Sequence, residues 1–451
     1  MKKNRFVNML LGLLFIQFYS DGVGRFDSVG GDYDEQTSFD FFQQMYYQMR
    51  SKSLFDNLPN VIRGSFESES TVNGAVIDRT KITEGDKVVF TLQDHMDGKV
   101  TYGDQSVRAG GFLSFKNAEV RVNNIDTPAM QVVGGQSQQR VRRSIKNLPM
   151  ATRTAVINYC SEQKEYEAIP ALLQGASPSA MKGTSDGGLG ISLGIGAGAG
   201  AGVPLMNKHW YTTDTGFIPY STTPATYNAS VDAAIYGIDA SSNDQFTLAK
   251  HTIIRAQMDT ILFEPVTWMG MQLKSIALTD PEIMWRLAKS LLADVNKYQM
   301  PRGKDNPFWT SKDIIVMDEI AYVSCPTLKK YRPSSTDGTS ATGPAFGPLT
   351  SDLDPRTYST SSHNGLIIYM GGGALKEGFN NEIEITEEHG RHGGRNNIKG
   401  MEIAGHFALA YVRGEFYAKD GRTATANNVE NRSVICAAFN EPGVGVDDSA
   451  E

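Results

Sequence analysis

The chain of 451 residues carries 50 acidic and 43 basic side chains, which gives a net charge of −7. This balance excludes the strongly basic class of nucleic-acid binders, so any contact with a polyanion would be local and weak. The length allows two or three lobes with substantial cores, and 45 glycines indicate many long loops. Three widely separated cysteines, Cys160, Cys325 and Cys436, argue against a disulfide framework and favour assembly in a reducing compartment.

The first twenty residues contain a basic start and an apolar run from Phe6 to Tyr19. This pattern is typical of a secretory signal peptide, although the run is too short for a membrane helix. Its end lacks the small-residue motif that signal peptidase reads, so an arm that packs on another subunit is the favoured interpretation. The next segment predicts a short helix that exposes Phe41, Phe42 and Tyr46, and we expect these side chains to bury against a partner surface.

Apolar residues recur with period two between residues 82 and 122. Val88 and Phe90 belong to the first run, and a polar, Gly-rich stretch separates them from Phe112, Phe115 and a second run. This pattern predicts a long two-stranded hairpin, with an ordinary meander in a β-domain as the alternative. Because an isolated hairpin is marginally stable in water, we expect these four residues to lie on another surface.

The segment from Gln136 to Gln174 predicts a long helix, because its apolar side chains recur at spacings of three and four. These residues are Val141, Ile145, Leu148, Ala155, Val156, Tyr159, Tyr166, Ile169 and Leu173. At ~1.5 Å per residue the helix would span roughly 58 Å, which is too long for one ordinary core. Pro149 predicts a kink or a second helix that begins at that point.

The charges on this helix are arranged against the helix dipole. Basic residues lie in its N-terminal half and acidic ones in its C-terminal half. The basic set is Arg140, Arg142, Arg143 and Lys146, and the acidic set is Glu162, Glu165 and Glu167. We expect carboxylates outside the helix, on this subunit or a neighbouring one, to compensate the basic half. A solvated basic face is the alternative.

The second half of the chain alternates predicted helices, strands and loops. A helix capped by Asn243 or Asp244 is expected to bury one side, formed by Phe246, Leu248, Ala249, Ile253 and Ala256. Asp280 is expected to cap another helix, with Ile283, Leu287, Leu291 and Val295 inward. A tight loop that leads into paired strands is predicted at 306–326, and a surface insertion at 331–362. A buried strand, glycine turn and helix start are predicted at 366–379, and strands close the chain.

Three short motifs could carry chemistry, and each has a simpler interpretation. The run from Gly190 to Gly194 matches a nucleophile elbow, but its Gly-Ala surroundings cannot supply the helix that an elbow needs. His389 and His392 have no carboxylate or thiol at a ligand spacing. The glycine run at 371–373 lacks the rest of a phosphate-binding fingerprint. We therefore assign no catalytic, cofactor or metal residue and do not expect an enzyme.

Several segments together resemble the major capsid proteins of N4-type tailed phages. They are residues 80–123, 136–176, 246–258, 305–326, 365–378 and 389–412, and the helix after Asp280. The specific part of the resemblance is their order and spacing between Thr80 and Phe439. It implies an α+β, HK97-like capsid fold with an N-terminal arm, an extended E-loop hairpin, a peripheral domain with a long spine helix, and an axial domain.

The resemblance also implies a division of the chain. The arm would cover residues 1–80, the E-loop hairpin 81–130, and the spine helix of the peripheral domain 131–182. A Gly-rich loop and insertion would follow at 183–242, then peripheral and axial structure at 243–330, and the surface insertion at 331–362. The axial domain and the return to the peripheral domain would occupy residues 363–451.

On this resemblance the chain would be a self-assembling subunit of the icosahedral shell that encloses a double-stranded DNA genome. Its partners would be copies of itself in hexamers and pentamers, with portal, scaffold or decoration proteins and only weak contact with packaged DNA. It would be assembled in the host cytoplasm and remain in the virion, away from membranes. The alternative function is a secreted or cell-surface β-rich structural protein, suggested by the N-terminal apolar run and the Gly/Ser/Thr loops.

Overall fold

The computed structural model describes part of the chain. The described residues are 62–63, 76–81, 87–93, 115–127, 129–132, 148–177, 179, 207–213, 215–219, 224–236, 238, 244–268, 271–287, 314–331, 363–380, 384–391, 399–414, 416–417, 429–430 and 432–441. All of them belong to one structural unit, Met45–Glu451. The predicted N-terminal arm, Gly-Ala loop and 331–362 insertion lie almost entirely outside them.

The described residues form helices and strands in the following order. The strands are β1 (Ile62–Arg63), β2 (Ile77–Lys81), β3 (Lys87–Gln93), β4 (Phe115–Arg121), β5 (Asn123–Asp126), β6 (Met130–Val132), β7 (Trp210–Thr212), β8 (Gly216–Phe217), β9 (Val266–Trp268), β10 (Met271–Leu273), β11 (Ser275–Thr279), β12 (Ile314–Met317), β13 (Ile320–Ser324), β14 (His363–Met370), β15 (Leu375–Phe379), β16 (Glu384–Arg391), β17 (Lys399–Arg413), β18 (Phe416–Tyr417), β19 (Val429–Glu430) and β20 (Val434–Glu441). The helices are α1 (Leu148–Gln174), α2 (Pro224–Tyr236), α3 (Leu248–Thr260), α4 (281–287) and a 3-10 helix, Pro326–Tyr331.

The longest described strand, β17, organises the first sheet. The strand order is β1-β2-β15-β17-β16, and β5 and β6 also pair with β17. Residues from Phe407 to Val412 are buried without a break. A continuous apolar run of this kind requires cover on both faces of the strand. Helix α1 supplies one cover, since it packs along β17.

Helix α1 ends at Gln174, as its sequence predicts, and its described part begins at Leu148. It starts at Leu148, so Pro149 lies in the first turn, where a missing backbone N–H breaks no helical hydrogen bond. A helix that begins at this point is one of the two predicted alternatives, and a kink in a longer helix is the other. At the other end Gly175 has φ +101° and donates its N–H to the Ala171 carbonyl at 2.9 Å, which closes the helix. Residues 133–147 lie outside the described residues.

A glycine allows α1 to approach β17 closely. A Cβ atom at Gly405 would lie 3.2 Å from the Cys160 sulfur and 3.3 Å from the Thr127 hydroxyl. Cys160 and Val156 are buried at this crossing, and Val156 belongs to the predicted apolar stripe. Tyr159 was predicted on the same face, but it is 41% exposed and that prediction is wrong. Its position one residue before Cys160 turns it about 100° away from the contact.

The second sheet has the order β12-β13-β11-β14-β20-β7-β8. One face of it packs against α3 and α4 around an aromatic cluster. The cluster includes Tyr211, Phe246, Phe263, Tyr322, Tyr369 and Phe439. Asp280 caps α4 as predicted, because its carboxylate accepts a hydrogen bond from the Glu282 N–H at 3.2 Å.

The predicted start of α3 is wrong, and its predicted inner side is confirmed only for Phe246 and Leu248, which pack in the core of the second sheet. Thr247 caps this helix, and its hydroxyl accepts a hydrogen bond from the Lys250 N–H at 3.4 Å. The buried side chains are His251, Ile254 and Met258, whereas Ala249, Ile253 and Ala256 are exposed. Two adjacent isoleucines made the phase of the apolar stripe ambiguous. The polar His251 masked the true phase, because its burial depends on a hydrogen-bond partner distant in sequence.

The predicted helix start after the glycine turn is also wrong. Residues 375–379 form β15, which pairs antiparallel with β17 and parallel with β2. The preceding glycine turn is confirmed, and Gly373 has φ +66° there. Neighbouring strands on both sides satisfy the backbone of this segment, so the tertiary pairing outweighs its local helical preference.

Candidate assembly surfaces

The predicted hairpin is paired at its base. β3 and β4 are antiparallel over seven residue pairs, from Lys87 opposite Arg121 to Gln93 opposite Phe115. This pairing confirms the two-stranded hairpin over that length, and the predicted tip at 94–114 lies outside the described residues. The base packs on the first sheet, where a Cβ at Gly378 would lie 2.9 Å from Val122 and 3.2 Å from Val88. The hairpin therefore has a fixed origin on its own subunit.

Two residues predicted at the assembly interface are buried within this chain. Val88 is 4% exposed and Phe90 is 8% exposed, and the Phe90 ring centre lies 5.8 Å from the Lys376 ammonium nitrogen. Because both side chains are already removed from water, they need no neighbouring subunit, and the interface prediction is corrected for them. The intervening Val89 is 50% exposed. In a strand, successive side chains point to opposite faces, so Val89 occupies the outer face of the hairpin.

The remaining predicted interface residues receive little or no structural description. The backbone of Phe115 ends the pairing of β4 with β3. Those outside the described residues are Phe41, Phe42, Tyr46, Phe112, Arg140, Arg142, Arg143 and Lys146. Their role at an interface stays a prediction.

The acidic end of α1 is held by partners in the same chain. Glu167 is 4% exposed, and its carboxylate accepts a hydrogen bond from the Ser179 N–H at 2.9 Å. The Ser179 hydroxyl donates to the Leu409 carbonyl in β17 at 2.9 Å. Glu165 accepts a hydrogen bond from the Thr327 hydroxyl. Burial raises the pKa of Glu167, and the hydrogen bonds from Ser179 oppose that shift.

A second buried polar group lies under α3. His251 is 2% exposed, with Nδ1 2.6 Å from the Tyr322 hydroxyl and Nε2 3.3 Å from an Asp318 carboxylate oxygen. Burial lowers the pKa of His251, and the hydrogen bond with Asp318 opposes the shift. One turn later, Arg255 donates to a Glu319 carboxylate oxygen at 3.0 Å. These contacts hold α3 on the β12–β13 turn, where Asp318 and Glu319 both have positive φ.

The features that bear on metal binding, membrane insertion and thiol reactivity indicate no reactive site among the described residues. Within them, no three His, Cys, Asp or Glu side chains gather into a group that could hold a metal ion. His389 lies in β16, and His392 lies outside the described residues. No described helix is both long and apolar enough to cross a membrane. All three cysteines are buried, and burial raises the thiol pKa to about 11 for Cys160 and to about 12 for Cys325 and Cys436.

Exposed apolar side chains mark the surfaces that a neighbour could cover. Among the described residues the large ones are Val89, Tyr159, Ile253, Leu262 and Trp285. The apolar spacing predicts Tyr159 and Ile253 on the inner sides of their helices, and it makes no prediction for the other three. For Val89 a signal was present, since strict alternation around Val88 and Phe90 places it on the opposite face. For the others, only the observed phase of each helix or turn decides exposure.

No family model and no curated protein matches the sequence. Several solved structures are similar to the structure of this chain. The cyanophage Pam1 capsid asymmetric unit is similar with a TM-score of 0.50 and 11% identity, covering 83% of this chain and 90% of that one. The chain has a phage capsid fold. This α+β fold agrees with the two mixed sheets and packed helices described above.

Two further capsid structures are also similar. The capsid of Ralstonia phage GP4 has a TM-score of 0.46 and 16% identity, covering 83% of this chain and 90% of that one. The acidic stable capsid of Helicobacter pylori bacteriophage KHP30 has a TM-score of 0.44 and 11% identity, covering 85% and 95%.

Proposed function

We propose that this chain is the major capsid protein of a tailed double-stranded DNA phage and assembles with copies of itself into the icosahedral shell. The observation that carries the proposal is the capsid fold, which it has in common with the Pam1 capsid over 83% of its length. Shells of this kind gain stability by multivalency, because many modest contacts act together. A secreted or cell-surface protein, the alternative from the sequence, is not favoured by this fold.

The finer assignment follows the resemblance of the sequence to N4-type capsid proteins. In an HK97-like arrangement, α1 is the C-terminal part of the spine helix, and the β3–β4 pair is the base of the E-loop. The second sheet, with α3 and α4, belongs to the axial and peripheral domains, and residues 1–80 form an arm. Hexamers and pentamers would form in the host cytoplasm, with portal, scaffold or decoration proteins as further partners and weak contact with DNA.

The hairpin base supports this assignment physically. Its inner face is fixed by Val88 and Phe90 on the chain's own sheet, while Val89 remains half exposed on the outer face. A hairpin anchored at its base and continued by about twenty residues can reach beyond its own subunit, since a strand extends roughly 3.3 Å per residue. We therefore assign the outer face of the hairpin, together with Phe112 and Phe115, to contact with a neighbouring subunit.

The basic half of the spine helix is assigned to a second contact. Two carboxylates near the acidic end of α1 already have hydrogen-bond donors in the same chain: Ser179 for Glu167 and Thr327 for Glu165. Acidic residues of an adjacent subunit would therefore pair with the basic half, at Arg140, Arg142, Arg143 and Lys146. Phe41, Phe42 and Tyr46 of the arm would cover apolar surface on a third contact.

Assembly of the purified full-length chain tests the proposal. Negative-stain electron microscopy and sedimentation velocity should show capsomers or shells. Val89→Glu should weaken assembly without changing the thermal transition of the free subunit, whereas Val89→Thr retains a β-branched shape and should assemble like wild type. A chain that stays monomeric under all assembly conditions, including co-expression with the other head proteins, would contradict the proposed function. Normal assembly of Val89→Glu would contradict only the hairpin assignment.

A further inference from the structure

Four charged side chains lie at the junction of β2 and β15 in the first sheet. Asp78 is opposite Lys376, and Arg79 is opposite Glu377, in a parallel pairing. The Lys376 ammonium group donates to the Asp78 carboxylate. The Arg79 Nε lies 2.6 Å from a Glu377 carboxylate oxygen. Two ion pairs therefore join β2 and β15 at neighbouring positions. The acidic residue is on β2 in the first pair and on β15 in the second.

Both pairs are shielded from water. The side chains of Arg79 and Glu377 are 6% and 4% exposed, and those of Lys376 and Asp78 are 10% and 22% exposed. Because adjacent strand residues point to opposite faces, the two pairs lie on opposite sides of the sheet. The pair of Lys376 faces the hairpin base, where Phe90 lies 5.8 Å from the ammonium nitrogen. Burial lowers the pKa of Lys376 to about 8.

The order of these charges discriminates against other registers. If β2 slipped by one residue in one direction, Asp78 would face Glu377. If it slipped by one residue in the other direction, Arg79 would face Lys376. Either slip brings like charges together in a shielded position, which is strongly unfavourable. A slip by two residues in one direction would leave all four charges opposite uncharged residues. In the other direction only Glu377 would keep a charged partner, Lys81, and the other three charges would lose theirs, so either slip leaves shielded charges unpaired.

Apolar pattern alone would specify this register weakly. The partners that flank the charged pairs are Ile77 with Leu375 and Thr80 with Gly378. Only Ile77 and Leu375 bring a large apolar contact, so the strand could otherwise shift at modest cost. We propose that the Asp78–Lys376 and Arg79–Glu377 pairs act as a register lock, which sets the position of β2 on the first sheet and, through the pairing of β1 with β2, that of β1 as well. The register lock concerns the single subunit and does not rest on the proposed function.

Exchange of the charge order within each strand tests the lock at constant composition. The first variant is Asp78→Arg with Arg79→Asp, the second is Lys376→Glu with Glu377→Lys, and the third combines all four changes. Either exchange alone places like charges opposite one another in the native register, and the combination restores two ion pairs. The control is Asp126→Asn, which replaces an exposed carboxylate whose oxygen lies 2.6 Å from the His406 Nδ1 atom in the same sheet.

The readouts are the thermal midpoint of the unassembled chain and hydrogen exchange of peptides that cover 76–81 and 375–379. Each single-strand exchange should lower the midpoint by about 5 °C or more and speed exchange in both peptides. The combined variant should recover most of both losses, and the control should resemble wild type. A combined variant as unstable as the single-strand exchanges would overturn the register lock, and so would a single-strand exchange that behaves like wild type. The combined variant keeps the test decisive even where a single-strand exchange fails to fold.

Discussion

The Nδ1 atom of His251 lies 2.6 Å from the hydroxyl oxygen of Tyr322, in a position where the imidazole is 2% exposed. Tyr322 also contacts Tyr369 edge to face, with ring centres 6.1 Å apart. The imidazole thus connects the turn at Asp318 to the aromatic core of the second sheet. The polar side chain of His251 faces the core, and its contacts with Tyr322 and Asp318 fix the position of α3.

This contact predicts acid sensitivity of the free subunit. Burial lowers the pKa of His251 in the folded chain below its unfolded value of about 6.5. The unfolded chain therefore binds a proton more readily, and the His251 contribution to stability is lost as the pH falls below about 6.5. The thermal midpoint of wild type, measured from pH 8 to pH 5, should fall towards that of His251→Gln. A constant difference between the two proteins over this range would contradict the prediction.

The cysteines should be unreactive while the chain is folded. Burial raises the thiol pKa of Cys160 to about 11 and those of Cys325 and Cys436 to about 12, so almost no thiolate exists at pH 8. A thiol reagent such as DTNB should label none of them in the native protein and three per chain in guanidinium chloride. Rapid labelling of any one thiol at pH 8 would show that its surroundings open readily.

The crossing of α1 over β17 should not tolerate a methyl group at Gly405. Gly405→Ala would place a Cβ 3.2 Å from the Cys160 sulfur, and overpacking of this kind costs about 1–3 kcal/mol. Adding Cys160→Ala should relieve part of the loss, because it removes the nearest atom. Urea unfolding of both variants and of Cys160→Ala alone provides the double-mutant cycle. If the two effects simply add, the helix and strand are not in contact at this point.

Two adjacent isoleucines test the phase of α3. Ile254 is fully buried and Ile253 is 50% exposed. Ile254→Ala should therefore lower the free energy of unfolding by about 2–5 kcal/mol, whereas Ile253→Ala should change it by about 0.5 kcal/mol or less in the free subunit. Chemical denaturation of the pair measures the difference. The reverse order of the two effects would restore the phase that the sequence pattern predicted.

The N-cap residue of α3, Thr247, gives a separate test of where this helix starts. Thr247→Ala removes the hydroxyl that accepts the Lys250 N–H, and loss of an N-cap costs about 1 kcal/mol. Thr252→Ala is the matched control, because this hydroxyl lies on the exposed side of the same helix and donates only to the Leu248 carbonyl. Equal stability of the two variants would place the helix start elsewhere.

Local pattern determined those elements whose signals are contained within a few residues. The period of two predicted β3 and β4, Pro149 and the apolar spacing predicted α1, and Asp280 predicted the start of α4. In each case the capping group, the breaker or the alternation acts on its immediate neighbours, so the sequence carries the information directly. The order of these segments also led to the capsid resemblance, with which the fold agrees.

Contacts distant in sequence decided what the pattern could not. Residues 375–379 became a strand because β2 and β17 lie on either side of them. The phase of α3 followed from the pairing of His251 with Tyr322, which is 71 residues away in sequence. Val88 and Phe90 were buried by the neighbouring sheet rather than left for another subunit. The physical reason is that burial and charge pairing depend on which surfaces meet, and a linear pattern specifies the amphipathic face but not its partner.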